Sequence, residues 1–536
     1  MTGSDGQQGH HAGGEGTAPS DLLSLVRAAE AAIASTPLLT VGEVTLTARQ
    51  FRERVEALAA GLLAAGLGPG QRVAVLLERS VEEAVVLLAA AAAGGIAVPC
   101  GGKLKDDQIG HLLRDSDPWA VVTSRTRLLA LREPRSVLHG RRVIAVGDGP
   151  MPVAAEPYHG LRGDPAMLRT PAADAAAVLL YTSGSTGLAK GVVQTHGNLT
   201  FGARVVADML GLRGSDHLLA VLPISFDYGL NQLLSALHVP CRITAADHLG
   251  TGELAEQLLR VEPTGLAGVP SLFHEIARGL RSGVLDARHG RSLRYLTNSG
   301  GALRRADSAV LRAAWPHVSL FAMYGLTEAF RSAYLPPSDF DRVPESFGRA
   351  IEGVELLLVE PATGKVITGP GQGELVHAGA LVAKGYWNNP EATAARFRPD
   401  PRGCAGTVVY SGDLVRRDAE GLHWFASRMD RLLKVHGHRV SPDEVAGVFA
   451  GMPGVGEVAV FGVDGEAAGH RIHVAIAGDP DHASLRDGLW RRARARLPSY
   501  MLPAGIHVLT SLPHNAHGKV DEAELRRTIL PCTDDR

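Results

Sequence analysis

The chain has 536 residues, which is enough for more than one domain and a large buried core. Its composition, 45% hydrophobic and 21% charged, is typical of a globular protein, and a net charge of −2 argues against a dedicated nucleic-acid-binding protein. The cysteines contain no C-x-x-C pair, so we expect neither a zinc site nor a disulfide scaffold and predict a cytoplasmic protein: Cys100, Cys241, Cys404 and Cys532.

The N-terminal segment and one apolar run are the two candidates for a secretory signal and a membrane-spanning helix. Residues 1–20, MTGSDGQQGHHAGGEGTAPS, are polar and rich in glycine, so we expect a disordered tail and no secretory signal. The apolar run 84–100, AVVLLAAAAAGGIAVPC, is shorter than the ~20 residues that a membrane span needs, and Gly94, Gly95 and Pro99 interrupt it. We predict a buried helix that leads into a strand, and no membrane insertion.

Strand-like and helical patterns alternate along most of the chain. The segments 72–77 (RVAVLL), 142–147 (RVIAVG) and 217–223 (HLLAVLP) have the pattern of buried strands, and 51–66 (FRERVEALAAGLLAAG) has that of a helix. Such alternation predicts an α/β architecture with largely parallel sheets.

The pattern changes after residue 427. A charged segment is followed by two short strand-like runs at 457–463 and 471–478 and by one helical run at 485–497. We therefore expect a large N-terminal domain over 21–427 and a small α+β C-terminal domain over 428–536.

The segment LLYTSGSTGLAKGVVQTHGNL, residues 179–199, combines a strand with a loop rich in glycine and hydroxyl side chains. Glycines let backbone N–H groups converge on an anion, the hydroxyls add donors, and Lys190 adds a positive charge. Ala189 stands where a Walker A loop requires glycine, so this is a different kind of loop. The segment predicts phosphate binding; the alternative is a flexible surface loop.

Five segments in order resemble the signatures of the adenylate-forming superfamily, which includes acyl-CoA synthetases, adenylation domains of peptide synthetases and luciferases. The first is the loop just described, with Ala189 where the family usually has proline. The others are MYGLTEAF (323–330), GELVHAGALVAKGYWNNPEATAARF (373–397), YSGDLVRRDAEG (410–421) with SRMDRLLKVHGHRVSPDEV (427–445), and LPSYMLP (497–503) with LPHNAHGKV (512–520). The resemblance covers about residues 20–530.

This resemblance implies a reaction in two steps. ATP and Mg²⁺ activate a carboxylic acid as an acyl-AMP with release of pyrophosphate, and a thiol then attacks the adenylate to form a thioester. No carrier domain with an Asp-Ser attachment motif follows, so we expect an external thiol, either CoA or the phosphopantetheine of a separate carrier protein. A luciferase-like oxygenase that acts on the adenylate is the alternative from another class.

The resemblance also assigns residues to ATP. Tyr324 stacks against adenine, Asp413 accepts hydrogen bonds from the ribose hydroxyls, and Arg428 reaches ribose or phosphate. The full set of ATP-binding residues it implies is Thr182, Ser183, Gly184, Ser185, Thr186, Gly187, Lys190, Tyr324, Thr327, Asp413, Arg428 and Lys519.

The implied catalytic residues are Thr327, Glu328 and Lys519. Thr327 contacts the α-phosphate and Glu328 binds Mg²⁺, since hard carboxylate oxygens suit that ion. Lys519 lies between the reacting carboxylate and the α-phosphate and lowers their mutual repulsion. The alternatives are a helix start capped by Thr327 and a solvated turn around Lys519.

Lys519 is far from the phosphate loop in sequence, so the small domain has to close over the large one. The resemblance implies that it then rotates about a hinge at Asp430, so that Gly437 faces the site for thioester formation. Ser427 replaces the glycine that is usual before Arg428.

The implied acyl pocket contains Asp227, Gly300, Gly301, Met323 and Arg331. Asp227 falls where amino-acid-activating members keep an aspartate for the substrate ammonium. We therefore predict an amino acid or another polar acid as substrate. The alternatives are that Asp227 and Arg331 pair with each other, or that Asp227 is structural in a fatty or aryl acyl-CoA synthetase.

Overall fold

The computed structural model describes residues 19–102, 104–147, 149–182, 188–247, 250–429, 433–465, 469–479, 483–513, 520 and 522–530. Several predicted features lie outside the described residues: the tail up to residue 18, Ser183, Gly184, Ser185, Thr186, Gly187, Asp430 and Lys519. The side chain of Arg428 is also outside the description. No helix in the described ranges is long and apolar enough to cross a membrane.

The strands up to the end of the predicted large domain are β1 (Pro37–Val41), β2 (Val44–Thr47), β3 (Arg72–Leu76), β4 (Ile96–Pro99), β5 (Ala120–Ser124), β6 (Val143–Val146), β7 (Glu156–Pro157), β8 (Ala176–Thr182), β9 (Lys190–Thr195), β10 (His217–Ala220), β11 (Arg242–Ala245), β12 (Gly265–Gly268), β13 (Tyr295–Asn298), β14 (Ser319–Tyr324), β15 (Ala333–Leu335), β16 (Arg349–Ala350), β17 (Val354–Val359), β18 (Val366–Ile367), β19 (Gly371–Gly379), β20 (Phe397–Pro399), β21 (Thr407–Arg417) and β22 (His423–Arg428). The remaining strands are β23 (Leu433–Val435), β24 (His438–Val440), β25 (Val458–Gly465), β26 (Gly469–Ala477) and β27 (Gly505–Leu509).

The helices are α1 (Leu22–Ile33), α2 (Ala48–Ala64), α3 (Val81–Ala92), α4 (Asp106–Ser116), α5 (Arg125–Leu129), α6 (Pro134–Val137), α7 (His196–Leu210), α8 (Asp227–His238), α9 (Thr251–Val261), α10 (Pro270–Ser282), α11 (Arg305–Ala314), α12 (Pro337–Phe340), α13 (Pro390–Arg396), α14 (Pro442–Phe449), α15 (Ala483–Arg496) and α16 (Glu522–Ile529).

Two large sheets are mainly parallel, which confirms the α/β prediction. A nine-stranded sheet has the order β16-β15-β14-β13-β12-β10-β11-β1-β2, and a seven-stranded sheet has the order β7-β6-β5-β3-β4-β8-β9. The antiparallel pairs of these sheets lie at their ends: β1 with β2, β14 with β15, β15 with β16, and β8 with β9. Strands and helices alternate between them, as βαβ connections require.

Buried helices fill the space beside these sheets. The apolar run 84–100 forms most of α3 and β4, and the residues of β4 are all buried. Helix α8 packs against α7, and eleven of its twelve residues are buried. The first residue of α8, Asp227, is among these buried residues.

A third sheet of six strands is antiparallel, and the alternation pattern did not predict it. Its order is β18-β17-β19-β21-β20, and β22 pairs with β21. Turns rather than helices connect most of its strands. The sequence between them therefore lacks the helical segments that predict parallel pairing.

The small sheet at the C-terminal end has the order β24-β23-β26-β25, and β27 pairs with β26. Helices α14 and α15 pack against each other, and apolar residues of both belong to the core of this unit. The predicted boundary after residue 427 falls inside β22, one residue before that strand ends.

Candidate active site

A cavity of about 340 Å³ lies beyond the carboxyl ends of the parallel strands β13 and β14, where α8 begins. This edge of a parallel sheet is where α/β proteins commonly bind ligands. Many predicted site residues line the cavity: Thr182, Asp227, Gly300, Gly301, Met323, Tyr324, Thr327, Arg331 and Gly437. Of the other predicted residues, Asp413 is hydrogen-bonded to Tyr324 of the lining, and Lys190 and Glu328 both contact Tyr386.

Tyr324 and Asp413 belong to different signature segments and meet in the structure. The hydroxyl of Tyr324, at the end of β14, donates a hydrogen bond to a carboxylate oxygen of the fully buried Asp413. The ring of Phe347 stacks on that of Tyr324 with 4.4 Å between centroids. In the antiparallel ladder of β21 and β22, Asp413 is paired with Arg428. The residues predicted to contact adenine and ribose are therefore one hydrogen bond apart.

Thr327 and Asp227 form the second contact between distant segments. The Thr327 hydroxyl donates to Oδ2 of Asp227 at 3.0 Å, and both residues are buried. The side-chain amide of Gln194 donates to the carbonyl of Thr327 at 2.5 Å. Asp227 is the first residue of α8, where the helix dipole stabilises a negative charge. The residue predicted for the α-phosphate thus lies beside the one predicted for the substrate ammonium.

Glu328 is buried next to Tyr386, whose hydroxyl donates to Oε1 of Glu328 at 2.7 Å. The Nζ atom of Lys190 lies 5.4 Å from the centroid of the Tyr386 ring. Oε2 of Glu328 is buried and accepts no hydrogen bond from the described residues. A buried carboxylate oxygen without a donor is unfavourable, so a hard cation such as Mg²⁺ suits it. No group of three or more His, Cys, Asp or Glu residues suited to a metal occurs in the described ranges.

Arg331 is 2% exposed and lies at the cavity wall. Its Nη1 donates to the Ser299 hydroxyl at 2.8 Å, and its guanidinium carbon lies 4.4 Å from the centroid of the Tyr228 ring. The hydroxyl of Tyr228 donates to the carbonyl of Thr297 at 2.8 Å. Arg331 forms no ion pair with any described carboxylate, Asp227 included. The alternative of a structural Asp227–Arg331 pair is therefore wrong for this arrangement.

Gly437 brings the C-terminal unit to the same cavity. Its backbone has φ +82°, and a Cβ atom there would lie 2.6 Å from Cγ1 of Val269. Gly300, with φ +85°, faces it so closely that a Cβ on Gly300 would be 3.4 Å from the Gly437 carbonyl oxygen. This close approach of two backbones requires glycine at position 437.

Comparison with known proteins agrees with this geometry. The family described as "AMP-binding enzyme" matches residues 26–387, and "AMP-binding enzyme C-terminal domain" matches residues 444–519. The chain belongs to the AMP-binding enzyme family. It is an enzyme of the adenylate-forming ligase class, so the resemblance inferred from its signatures is confirmed.

Three relatives illustrate the family. The L-proline–(L-prolyl-carrier protein) ligase of Streptomyces coelicolor is 31% identical over 522 residues, which cover 94% of this chain and 96% of that protein. Phosphinothricin tripeptide synthetase PhsB of Streptomyces viridochromogenes is 32% identical over 497 residues, which cover 90% of this chain and 40% of the larger protein. The amide bond synthetase McbA of Marinactinospora thermotolerans has the same fold, with a TM-score of 0.81, 23% identity, and coverage of 94% of this chain and 99% of McbA.

Sequence reasoning missed several residues at the site of this AMP-binding enzyme. Ser299 and His438 adjoin the predicted Gly300 and Gly437, so sequence proximity was a usable signal for both. The GYWNNP segment contains Tyr386, but no local pattern indicates that its hydroxyl reaches Glu328. Phe347 lies in the segment between α12 and β16 and reaches Tyr324 through tertiary structure alone.

A second cavity of about 420 Å³ lies between α4 and the C-terminal helices α14 and α15. Tyr181 and Tyr500 line both cavities, and the ring of Tyr500 stacks on His438 at 3.9 Å. Glu444 faces the second cavity and accepts a hydrogen bond from Nε2 of Gln108 at 3.4 Å. Burial raises the pKa of Glu444 to about 7.

This raised pKa predicts how stability depends on pH. Unfolded glutamate loses its proton near pH 4.5, whereas folded Glu444 keeps it to about pH 7, so its stabilising contribution is full below pH 4.5 and is lost as the pH rises through 7. Glu444→Gln stays neutral at every pH. We expect it to raise the free energy of unfolding at pH 8 by about 1–3 kcal/mol over the wild type.

Thermal denaturation between pH 5 and pH 8 measures this difference. Glu43→Gln, at an exposed carboxylate, is the matched control and should keep the pH slope of the wild type. Equal slopes for Glu444→Gln and the wild type would contradict the burial of this carboxyl group.

Proposed function

We propose that the protein uses ATP to activate an amino acid, or a closely similar polar acid, as an acyl-AMP and then transfers the acyl group to an external thiol. The contact between Thr327 and Asp227 carries this proposal. It puts a buried carboxylate within one hydrogen bond of the residue expected to meet the α-phosphate. An ammonium group bound by Asp227 would therefore lie close to the carboxylate that reacts, as in an amino acid.

The chemistry requires each of these groups. A carboxylate is a poor electrophile. Its oxygen attacks the α-phosphate of ATP, pyrophosphate leaves, and the acyl group is then bonded to AMP, which is a good leaving group. The loop after Thr182 and Lys190 would hold the phosphates, and Thr327 and Lys519 would stabilise the charge that develops at the α-phosphate. Glu328 would hold Mg²⁺, which neutralises phosphate charge.

The nucleotide would bind along the contact between Tyr324 and Asp413, with adenine beside Tyr324, ribose at Asp413, and Arg428 near ribose or phosphate. The contact of Asp413 with Tyr324 supports this role, because it puts beside the predicted adenine site a carboxylate, a group that can accept hydrogen bonds from both ribose hydroxyls. Gly300, Gly301 and Met323 would border the acyl group.

The thiol acceptor would be CoA or the phosphopantetheine of a separate carrier protein. The relative from Streptomyces coelicolor is named a carrier protein ligase, which favours a carrier protein. We assign 21–427 to the large domain and 428–536 to the small one, with a hinge at Asp430. We also assign the protein to the cytoplasm, since Cys100 and Cys241 are free thiols.

ATP–pyrophosphate exchange by the full-length protein tests the proposal. The panel contains the proteinogenic amino acids, dicarboxylic acids, aryl acids and fatty acids, and CoA or a phosphopantetheinyl carrier protein is offered in a second assay. We expect an amino acid to give the highest exchange rate and then a thioester. Preference for a fatty or aryl acid, or oxygen consumption in place of thioester formation, would contradict the proposal.

A further inference from the structure

The acyl side of the cavity contains a buried cation, Arg331, that forms no ion pair with a carboxylate of the described residues. Arg331 is 2% exposed, and its contacts are the hydroxyl of Ser299 and the ring face of Tyr228. Its Nε is buried and donates to no acceptor among the described residues. Arginine is rarely so buried unless an anion accompanies it.

The surroundings hold the guanidinium in place but do not neutralise it. Ser299 is itself 4% exposed, and Tyr228 is fixed by its hydrogen bond to Thr297. A charge removed from water without an ionic partner is unfavourable, and neither a hydroxyl nor a ring face offsets that cost in full. By contrast, the partly buried Arg294, which directly precedes β13, makes two hydrogen bonds to Asp216.

We infer that Arg331 binds a second carboxylate of the substrate, so that the acid activated is a dicarboxylic amino acid. This inference rests on the proposed function. The guanidinium presents parallel N–H donors that match a carboxylate. Because Arg331 lines the cavity, an acyl group in that cavity can bring its second carboxylate to these donors.

The positions of Asp227, Thr327 and Arg331 also limit the size of the substrate. Asp227 and Tyr228 are consecutive residues at the start of α8; the first contacts Thr327 and the second stacks on Arg331. Asp227 and Arg331 both line the cavity, so the ammonium site and the anion site open onto the same space. A compact acid with one amino group and two carboxylates fits this arrangement, whereas a long fatty chain would bury its apolar end against a charge.

The test compares acids with their neutral amides in ATP–pyrophosphate exchange. Aspartate, glutamate and 3-aminoglutarate, the β-amino isomer of glutamate, are compared with asparagine and glutamine, for the wild type and for Arg331→Met and Arg331→Lys. We expect the wild type to prefer the best diacid over its amide by about 10²-fold in kcat/KM. Arg331→Met should lose this preference, and Arg331→Lys should retain part of it.

The midpoint of thermal denaturation, measured with and without the diacid, distinguishes a substrate-binding arginine from a purely structural one. Replacing an unpaired buried charge by an apolar side chain of similar size should leave the midpoint of Arg331→Met equal to or above that of the wild type. The diacid should raise the midpoint of the wild type but not that of Arg331→Met. Arg398→Met is the matched control, since Arg398 stacks on Tyr410 at 4.3 Å but is exposed and does not line the cavity.

The outcomes separate this inference from the proposed function. A wild type that prefers a neutral amino acid overturns the role of Arg331 and leaves the proposed function intact. Equal loss of acids and amides in Arg331→Met, with a lowered midpoint, also overturns that role. A diacid without an amino group as the best substrate supports Arg331 and overturns the amino-acid assignment.

Discussion

Gly437→Leu is expected to lose thioester formation by about 10²–10³-fold while adenylation continues. A side chain at this position meets two obstacles: φ is +82°, and its Cβ would lie 2.6 Å from Cγ1 of Val269. Left-handed backbone on a residue other than glycine costs about 1–3 kcal/mol, and the overlap with Val269 adds a comparable amount. Together they reduce the population of the arrangement in which the C-terminal unit faces the cavity.

Separate assays of the two half-reactions measure this effect. ATP–pyrophosphate exchange reports adenylation, and a supplied acyl-adenylate with a thiol reports thioester formation. Lys519→Ala should show the reverse defect, with adenylation reduced by about two to three orders of magnitude and thioester formation retained. Gly451→Leu is the matched control, because Gly451 has φ +74° but no atom within 4 Å of the added Cβ. Equal loss of both steps in Gly437→Leu or in Lys519→Ala would contradict a mechanism with two domain arrangements.

The parallel part of the fold was predictable because each βαβ unit leaves a local pattern. The run 84–100 is apolar throughout since both α3 and β4 are buried, and its glycines mark the turn between them. The antiparallel sheet left no such pattern. Strand β19 pairs with β17 and β21, and turns rather than helices separate most of its strands, so only long-range pairing defines that sheet.

The candidate site divides in a similar way. Residues inside signature segments, such as Thr327 and Tyr324, were predictable because a hydroxyl or an aromatic ring has a chemical purpose at that place. Asp227 and Asp413 were also predicted as site residues. Their contacts with Thr327 and Tyr324 were not predictable, because the two pairs are 100 and 89 positions apart in sequence. Whether Arg331 forms an ion pair was not predictable from sequence, since the packing of the folded chain decides whether a carboxylate lies beside a guanidinium.

Asp227→Ala is expected to abolish amino-acid activation or to reduce kcat/KM by about 10²–10³-fold. Breaking a buried ammonium–carboxylate pair from one side costs about 3–5 kcal/mol, because the remaining charge stays buried without a partner. The loss should appear in KM for the amino acid, since the pair forms when substrate binds. ATP binding should change less than amino-acid binding, because adenine and ribose are predicted to bind at Tyr324 and Asp413 rather than at the contact between Thr327 and Asp227.

Asp227 also accepts the hydroxyl of Thr327, so a second variant has to separate its two roles. Asp227→Asn keeps an oxygen acceptor for Thr327 but removes the charge, and we expect it to lose amino-acid activation nearly as fully as Asp227→Ala. Asp208→Ala, at an exposed aspartate of α7, is the control and should retain wild-type kinetics. If Asp227→Asn kept the wild-type kcat/KM for the preferred acid, its carboxylate would serve only to orient Thr327. The substrate would then be recognised without its ammonium group, and the amino-acid assignment would be wrong.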